Sequence, residues 1–376
     1  MATSYKIDVY HPTTGAKQAT ITDYHYLKYN KKVNDFGLLQ FELEGNHKDI
    51  DKFQRNSLIV VSRKNPERGI TSWQEDFYGL FLAQRRKTTD VDTIAITAPS
   101  IEHKLTWRIN DYPADTTNFT TFSNVAAETI MKRLVRYNFD TTYATVANGR
   151  SRQPTAIGIG IASDLARGNA LNYTSSNAPI LKDLQALARN AGGDFGLVKA
   201  SYTTFNLEFY PNQLGTDRTA AIVFSLKNGN MGEPEYILDW INEKSVAITK
   251  GQGQGNLRDI DIRTSPTYTA GYDIETFVDA RNVAKGDYFA LQTEGNNALQ
   301  KAIATETFNF KVLQNPSYVY GKYYYLGDKV TGKYKTVSVA LKITGVTVEY
   351  TVSKSLEVID LDITPIPFTS VFDIWS

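Results

Sequence analysis

The sequence predicts a mainly β chain of the α+β kind, on three observations. Several segments alternate strictly between apolar and polar residues. Aromatic residues make up 12% of the chain, with 23 Tyr and 18 Phe, and only three segments carry helical spacing. Aromatic and β-branched side chains suit a pleated, half-buried surface. Alternation with period two marks a strand with one dry face, the usual state of antiparallel sheets.

In chain order, Leu39, Phe41 and Leu43 alternate with Gln40, Glu42 and Glu44, which predicts a half-buried strand. Leu58-Ile59-Val60-Val61 is continuously apolar and reads as a core strand. Ala127, Ile130, Met131, Leu134 and Val135 fall on one helical stripe behind a capping Ser123 or Asn124. Residues 143–176, rich in Ala, Gly, Asn, Ser and Thr, read as a long surface loop anchored by Leu165 and Leu171. A second helix opens at Pro179, places Leu181, Leu184, Leu187, Ala188 and Ala191 on one side, and stops at Gly192-Gly193. Phe205, Leu207 and Phe209 form another alternating strand. A short third helix is expected over Asn297 to Thr305, with Leu299 and Ile303 inward. Two further alternating runs, from Val337 to Ile343 and from Val346 to Val352, predict strands joined by a tight hairpin at Thr344-Gly345. Pro365 and Pro367 interrupt any further sheet. The arm they open is too apolar for a free solvated tail; it either folds back over its own barrel or docks on a neighbouring chain or tail component, with Phe372 and Trp375 as anchors.

Composition bounds the function. The 41 Lys+Arg and 40 Asp+Glu nearly cancel, unlike the basic excess of a dedicated nucleic-acid binder. There are no cysteines, hence no disulfide framework, thiol nucleophile or thiolate metal site. The opening Met1 to Asp8 lacks the apolar core of a signal peptide, and no apolar run is long enough to span a membrane.

Motifs for chemistry are sparse. His11, His25, His47 and His103 are scattered and match no metal spacing. Gly158-Ile159-Gly160 and the run Gly251 to Gly255 lack the strand and helix that a dinucleotide loop requires, so they read as turns. Asp259/Asp261 and Asp360/Asp362 each face one way on a strand, necessary for a glycosidase pair and far from sufficient. They read as solvated strand faces, and Arg85-Arg86-Lys87 and Lys132-Arg133 read as solvent-exposed charge. No catalytic residue, cofactor or metal ligand is therefore expected. The competing classes are a carbohydrate-active enzyme using one Asp pair, and a glycan- or receptor-binding module using Tyr323, Tyr324, Tyr325, Trp73 and Trp107.

The order of several short words resembles the baseplate-hub, or tail-tip, family of siphophages. In the N-terminal half these are Phe36-Gly37, Ser57 to Val61, Phe77-Tyr78-Gly79-Leu80-Phe81, Ile94 to Ala98, and Ile101 to Arg108. In the C-terminal half, Ile248 to Gly253 leads to Arg258. Glu275-Thr276-Phe277-Val278-Asp279-Ala280-Arg281 precedes Gly295, and Tyr320-Gly321 precedes Leu326-Gly327-Asp328-Lys329-Val330.

The resemblance implies two tail-tube-like antiparallel β-barrels with a helix-containing insertion. Residues 1–102 would form the first barrel, completed by strands within 196–245. Residues 103–195 would be the insertion, 246–364 the second barrel and 365–376 the C-terminal arm. It implies a structural virion protein at the tail tip, made in the host cytoplasm. Three copies would form a ring that adapts a six-fold tail tube above to a three-fold spike or fibre below. Genome or tape-measure protein would pass through the lumen. Phe277, Asp279, Arg281, Gly327, Asp328, Phe372 and Trp375 are the expected structural and assembly positions. The sequence ends at Ser376, so an appended hydrolase or fibre domain is not expected.

Overall fold

The computed structural model describes residues 4–88, 91–110, 120–139, 146–147, 150–151, 158–175, 177–354 and 356–366. It is mainly β, with three α-helices among those residues: α1 (Ala127–Phe139), α2 (Ile180–Ala191) and α3 (Tyr288–Lys301). By contacts the chain divides into two compact units, residues 1–232 with 311–363, and residues 233–310 with 364–376.

The first unit holds two main sheets. One is four-stranded, in the order Lys17–Ile21, Ser4–Tyr10, Leu58–Asn65, Ile70–Leu80. The other runs Val223–Ser225, Lys329–Tyr334, Val337–Thr351, Tyr26–Lys32, Leu38–Glu44, Asp92–Pro99, Ala83–Thr88, with Leu356–Pro365 also paired to Val337–Thr351. Most pairings are antiparallel, but 223–225 lies parallel to 329–334. No ladder among the described residues joins the ends of either sheet.

Alternation decides which side chains are dry. Leu39, Phe41 and Leu43 are fully buried, as are Ile94, Ile96 and Ala98 on the next strand. Burying such side chains contributes about 1.5–3 kcal/mol each. The sheets meet through Tyr5, whose ring lies 6.4 Å from Tyr29 and 5.1 Å from Tyr350, and through Tyr29 and Phe77 at 5.4 Å. A further core joins α1 and α2 to Leu105, Phe122, Ile159, Phe195, Leu207 and Phe209.

The expected domain division differs from the observed one. Strands 329–334 and 337–351, expected in a second barrel, share a sheet with strand 26–32, through pairs such as Val348 with Tyr29. The helices expected in a separate insertion share the first unit with the N-terminal strands. Alternation specifies a strand's face but not its partner, so this choice was not written in the local pattern.

The expected hairpin at Thr344-Gly345 is absent, and Val337–Thr351 is one continuous strand. Its buried positions are odd-numbered through Ile343 and even-numbered from Val346, so the face inverts at Gly345. There the strand passes from its partner 329–334 to its partner 26–32. A Cβ on Gly345 would meet the Asp362 carboxylate at 2.2 Å, so only glycine allows that approach.

Other local expectations shift. Ser123 and Asn124 belong to strand Thr120–Ala126, which runs directly into α1. Part of 143–176 lies outside the described residues; the rest includes strands Ile159–Ile161 and Ala170–Ser175, with Leu171 on the helical core and Leu165 exposed. The second helix follows Pro179 and ends at Gly192 with φ 67°. The third begins earlier than expected, because the Asp287 side chain accepts from Ala290 N and caps it, and Ile303 is exposed beyond its end.

The second unit is built on a three-stranded sheet. Val246–Lys250 is central, antiparallel to Ile260–Thr264 and parallel to Glu275–Asp279. Helix α3 packs on this sheet and buries Leu291 and Leu299. A separate two-stranded sheet pairs Met231–Asp239 with Thr305–Val312.

Candidate functional site

Two arrangements stand out, a buried polar network in the first unit and an uncovered sheet face in the second. The network starts from Arg63, which lies in phase with the buried Ile59 and Val61. Its guanidinium donates through Nε and Nη2 to the two Glu357 oxygens, at 2.6 and 2.8 Å, and through Nη1 to the Tyr320 carbonyl at 2.7 Å. Tyr5 Oη donates to the same carboxylate. Nearby, Asp76 accepts from Lys31 Nζ at 2.7 Å, Tyr29 Oη at 2.5 Å and Tyr320 Oη at 3.2 Å. Burial alone would raise the Asp76 carboxyl; the Lys31 ammonium and the hydrogen bonds from Lys31 and Tyr29 outweigh it and hold it low. Burial pushes the Tyr29 phenol well up.

These bonds join strands 4–10, 26–32, 58–65, 70–80 and 356–365, so the network ties strands together. A cavity of about 80 Å³ beside it is lined by Lys31, Asp35, Asp76, Tyr78, Ser100 and Glu102, among others. That is well below the roughly 300–1,000 Å³ of an ordinary ligand pocket.

Gly327 and Asp328 form a second tie in the same unit. Gly327 has φ 86°, and a Cβ there would meet Gly215 N at 2.7 Å. Asp328 is buried and accepts from Tyr325 N at 2.8 Å, Thr216 N at 2.6 Å and Arg218 Nε at 2.8 Å. The turn thus pins the segment 214–218 to the start of strand 329–334.

In the second unit, the word from Glu275 to Arg281 lies mostly along an edge strand. Its alternation turns Thr276 and Val278 to one face and Glu275, Phe277 and Asp279 to the other. Phe277 is 59% exposed and Ile262 is 60% exposed. Both lie directly across from Ile248, one on each side, so the three form an apolar row. Arg258 Nη2 bonds Asp279 Oδ1 and the Lys250 carbonyl, each at 2.5 Å, while Nε bonds the Gly251 carbonyl at 2.7 Å, closing the glycine-rich turn. Arg281 reaches Asp279 at 3.3 Å and is largely exposed.

Phe277, Asp279 and Arg281 therefore belong to one surface, and Gly327 and Asp328 to a buried turn in the other unit. Phe372 and Trp375 lie outside the described residues. Asp360 and Asp362 are exposed on their strand, whereas Asp259 and Asp261 are half-buried. Asp261 pairs with Arg263 at 2.8 Å, and Asp259 accepts from Gly286 N at 2.6 Å. Among the described residues no cluster of three His, Asp or Glu could hold a metal, and no helix is long and apolar enough to cross a membrane. Sequence reading missed the Arg63 network. Its one signal was a charged residue in phase with a buried strand.

The fold has solved counterparts. A tail protein from Neisseria meningitidis matches with TM-score 0.54 at 11% identity, covering 96% of this chain and 97% of that one. The 43 kDa tail protein of a Shewanella oneidensis prophage matches with TM-score 0.59 at 12% identity, covering 96% and 98%. A prophage tail protein from Listeria monocytogenes matches with TM-score 0.55 at 13% identity, covering 98% and 97%. No curated protein sequence matches. The model of the Siphovirus ReqiPepy6 Gp37-like protein family matches residues 7–359, nearly the whole length, and the chain belongs to that family.

Proposed function

We propose that this protein is the structural hub of a siphophage tail tip, located in the virion after synthesis in the host cytoplasm. Three copies form a ring in which each contributes two tail-tube-like barrel domains, so six similar domains meet a six-fold tube above and a three-fold spike or fibre below. Genome or tape-measure protein passes through the lumen. The observation that carries this reading is the family match over residues 7–359 on a fold shared end to end with phage tail proteins. The uncovered row Ile262, Ile248, Phe277 supports a subunit role, because exposed contiguous apolar surface marks contact with another chain. Cyclic closure fixes the number of copies.

Phe277, Asp279 and Arg281 then serve as contact positions, Gly327 and Asp328 hold the framework, and Phe372 with Trp375 anchor the arm on a neighbouring chain. The role requires binding and rigidity, with no catalytic step. Light scattering after size exclusion, on the free protein and on protein recovered from particles, should report three copies. A stable dimer in both settings would overturn the ring. Deleting residues 366–376 should leave the chain folded and weaken assembly; normal assembly with a lower melting temperature as a monomer would make the arm intrachain packing.

A further inference from the structure

Two strand edges carry opposite charge that is unpaired among the described residues. Strand Ala83–Thr88 ends the larger sheet of the first unit and pairs only with Asp92–Pro99. Across from it Ile94 and Ile96 are fully buried, yet their partners Arg86 and Gln84 are exposed. The core therefore stops one strand short, and all six residues of 83–88 face solvent. Arg85 and Lys87 share one face and Arg86 takes the other. None of the three has an ion pair among the described residues.

Among the described residues the strand Met231–Asp239 pairs only with Thr305–Val312, and an isolated two-stranded sheet is marginal in water. It exposes Glu233, Glu235 and Ile237, with Glu233 at a left-handed φ of 50°, and neither glutamate has an ion pair among the described residues.

We infer that the 83–88 edge of one copy adds to the 231–239 edge of a second copy, with Arg85 and Lys87 against Glu235 and Glu233. The inference rests on the ring reading and names the strands that make the contact. An unpaired edge supplies main-chain hydrogen bonds to any added strand, and the side chains select which strand is added. Like edges repel here, so 83–88 disfavours itself and 231–239 disfavours itself. Charge thus selects a head-to-tail contact over a two-fold one, and only the former builds a ring larger than a dimer. Pro234 lacks one N–H and so removes at most one ladder bond.

Charged residues and proline also serve as guards that keep edges apart, and the two roles give opposite results. A carbodiimide cross-link on a mixture of isotope-labelled and unlabelled full-length protein should join Lys87 of one copy to Glu233 or Glu235 of another. Arg85→Glu with Lys87→Glu should weaken association by roughly tenfold or more, as should Glu233→Lys with Glu235→Lys; the four changes together should restore it. Arg85→Ala with Lys87→Ala should also weaken association, whereas guards would make it stronger. An oligomer that forms without the cross-link and ignores both reversals overturns this edge assignment and leaves the ring standing. A wild-type chain that stays monomeric both free and in particles overturns the ring and this contact with it.

Discussion

Arg63 and Arg258 are both buried side chains that make similar hydrogen bonds in the two units, but their carboxylate partners sit in opposite surroundings. Each joins a carboxylate and at least one main-chain carbonyl. The partner of Arg63, Glu357, is 3% exposed and lies on a strand 294 residues away. The partner of Arg258, Asp279, is 44% exposed, beside a sheet face that the described chain leaves bare. In the first unit polar chemistry is spent holding strands distant in sequence. In the second it decorates a surface that still offers apolar area. Burial decides whether an ion pair specifies a fold or borders a contact.

The contrast can be broken most directly by deleting one carboxylate from each pair. Glu357→Ala leaves Arg63 charged and buried without its partner, and urea unfolding should show a loss of about 3–5 kcal/mol. Asp279→Ala removes a 44% exposed partner and leaves the buried Arg258 its two carbonyl acceptors, so it should cost clearly less than Glu357→Ala by the same measurement. Equal losses would mean that the two pairs differ in appearance only.

Gly327→Val forces a branched side chain into a left-handed turn against Gly215 and should lower stability by roughly 1–3 kcal/mol. An unchanged melting temperature would remove this turn from the framework.

Acid sharpens the comparison further. Glu128 is fully buried in α1 and accepts from Arg167 N and Nε at 2.9 Å and from Lys132 Nζ at 2.5 Å; Lys132, expected from the sequence to be exposed, is buried because this ion pair holds it in the core. Burial would raise its carboxyl, but the Arg167 and Lys132 hydrogen bonds outweigh it and bring it down to about 2. A depressed carboxyl stabilises the fold above the ordinary glutamate range, and that contribution is lost as pH falls toward about 2. Wild type should therefore melt higher than Glu128→Gln at neutral pH, and the gap should close on acidification. A gap independent of pH would contradict this origin.

The smallest expected effect on stability is at the bare face. Phe277→Ser should leave unfolding within about 0.5 kcal/mol of wild type, as for exposed positions generally, while weakening assembly. A large drop in the isolated chain would show that Phe277 packs within its own unit.

Faces were legible where alternation was long. Leu39, Phe41 and Leu43, or Phe205, Leu207 and Phe209, are buried as their spacing requires. The helix after Pro179 was legible because its ends carry their own chemistry. The site was legible only in part. The word around Phe277 marked a surface strand, but the row with Ile248 and Ile262 needs two other strands to exist. Arg63 signalled burial of a charge and could not name Glu357.

The sequence by itself determined the β class, the dry face of each regular strand and two of the three helices, because side-chain period and cap chemistry act over a few residues. The tertiary structure alone decided strand partners: that 337–351 runs through Gly345 to meet 26–32, and that 83–88 and 231–239 each have one strand partner among the described residues. Main-chain hydrogen bonds are nearly the same for every sequence, so a strand's local pattern cannot distinguish its possible neighbours. The choice is made by the packing of all of them together.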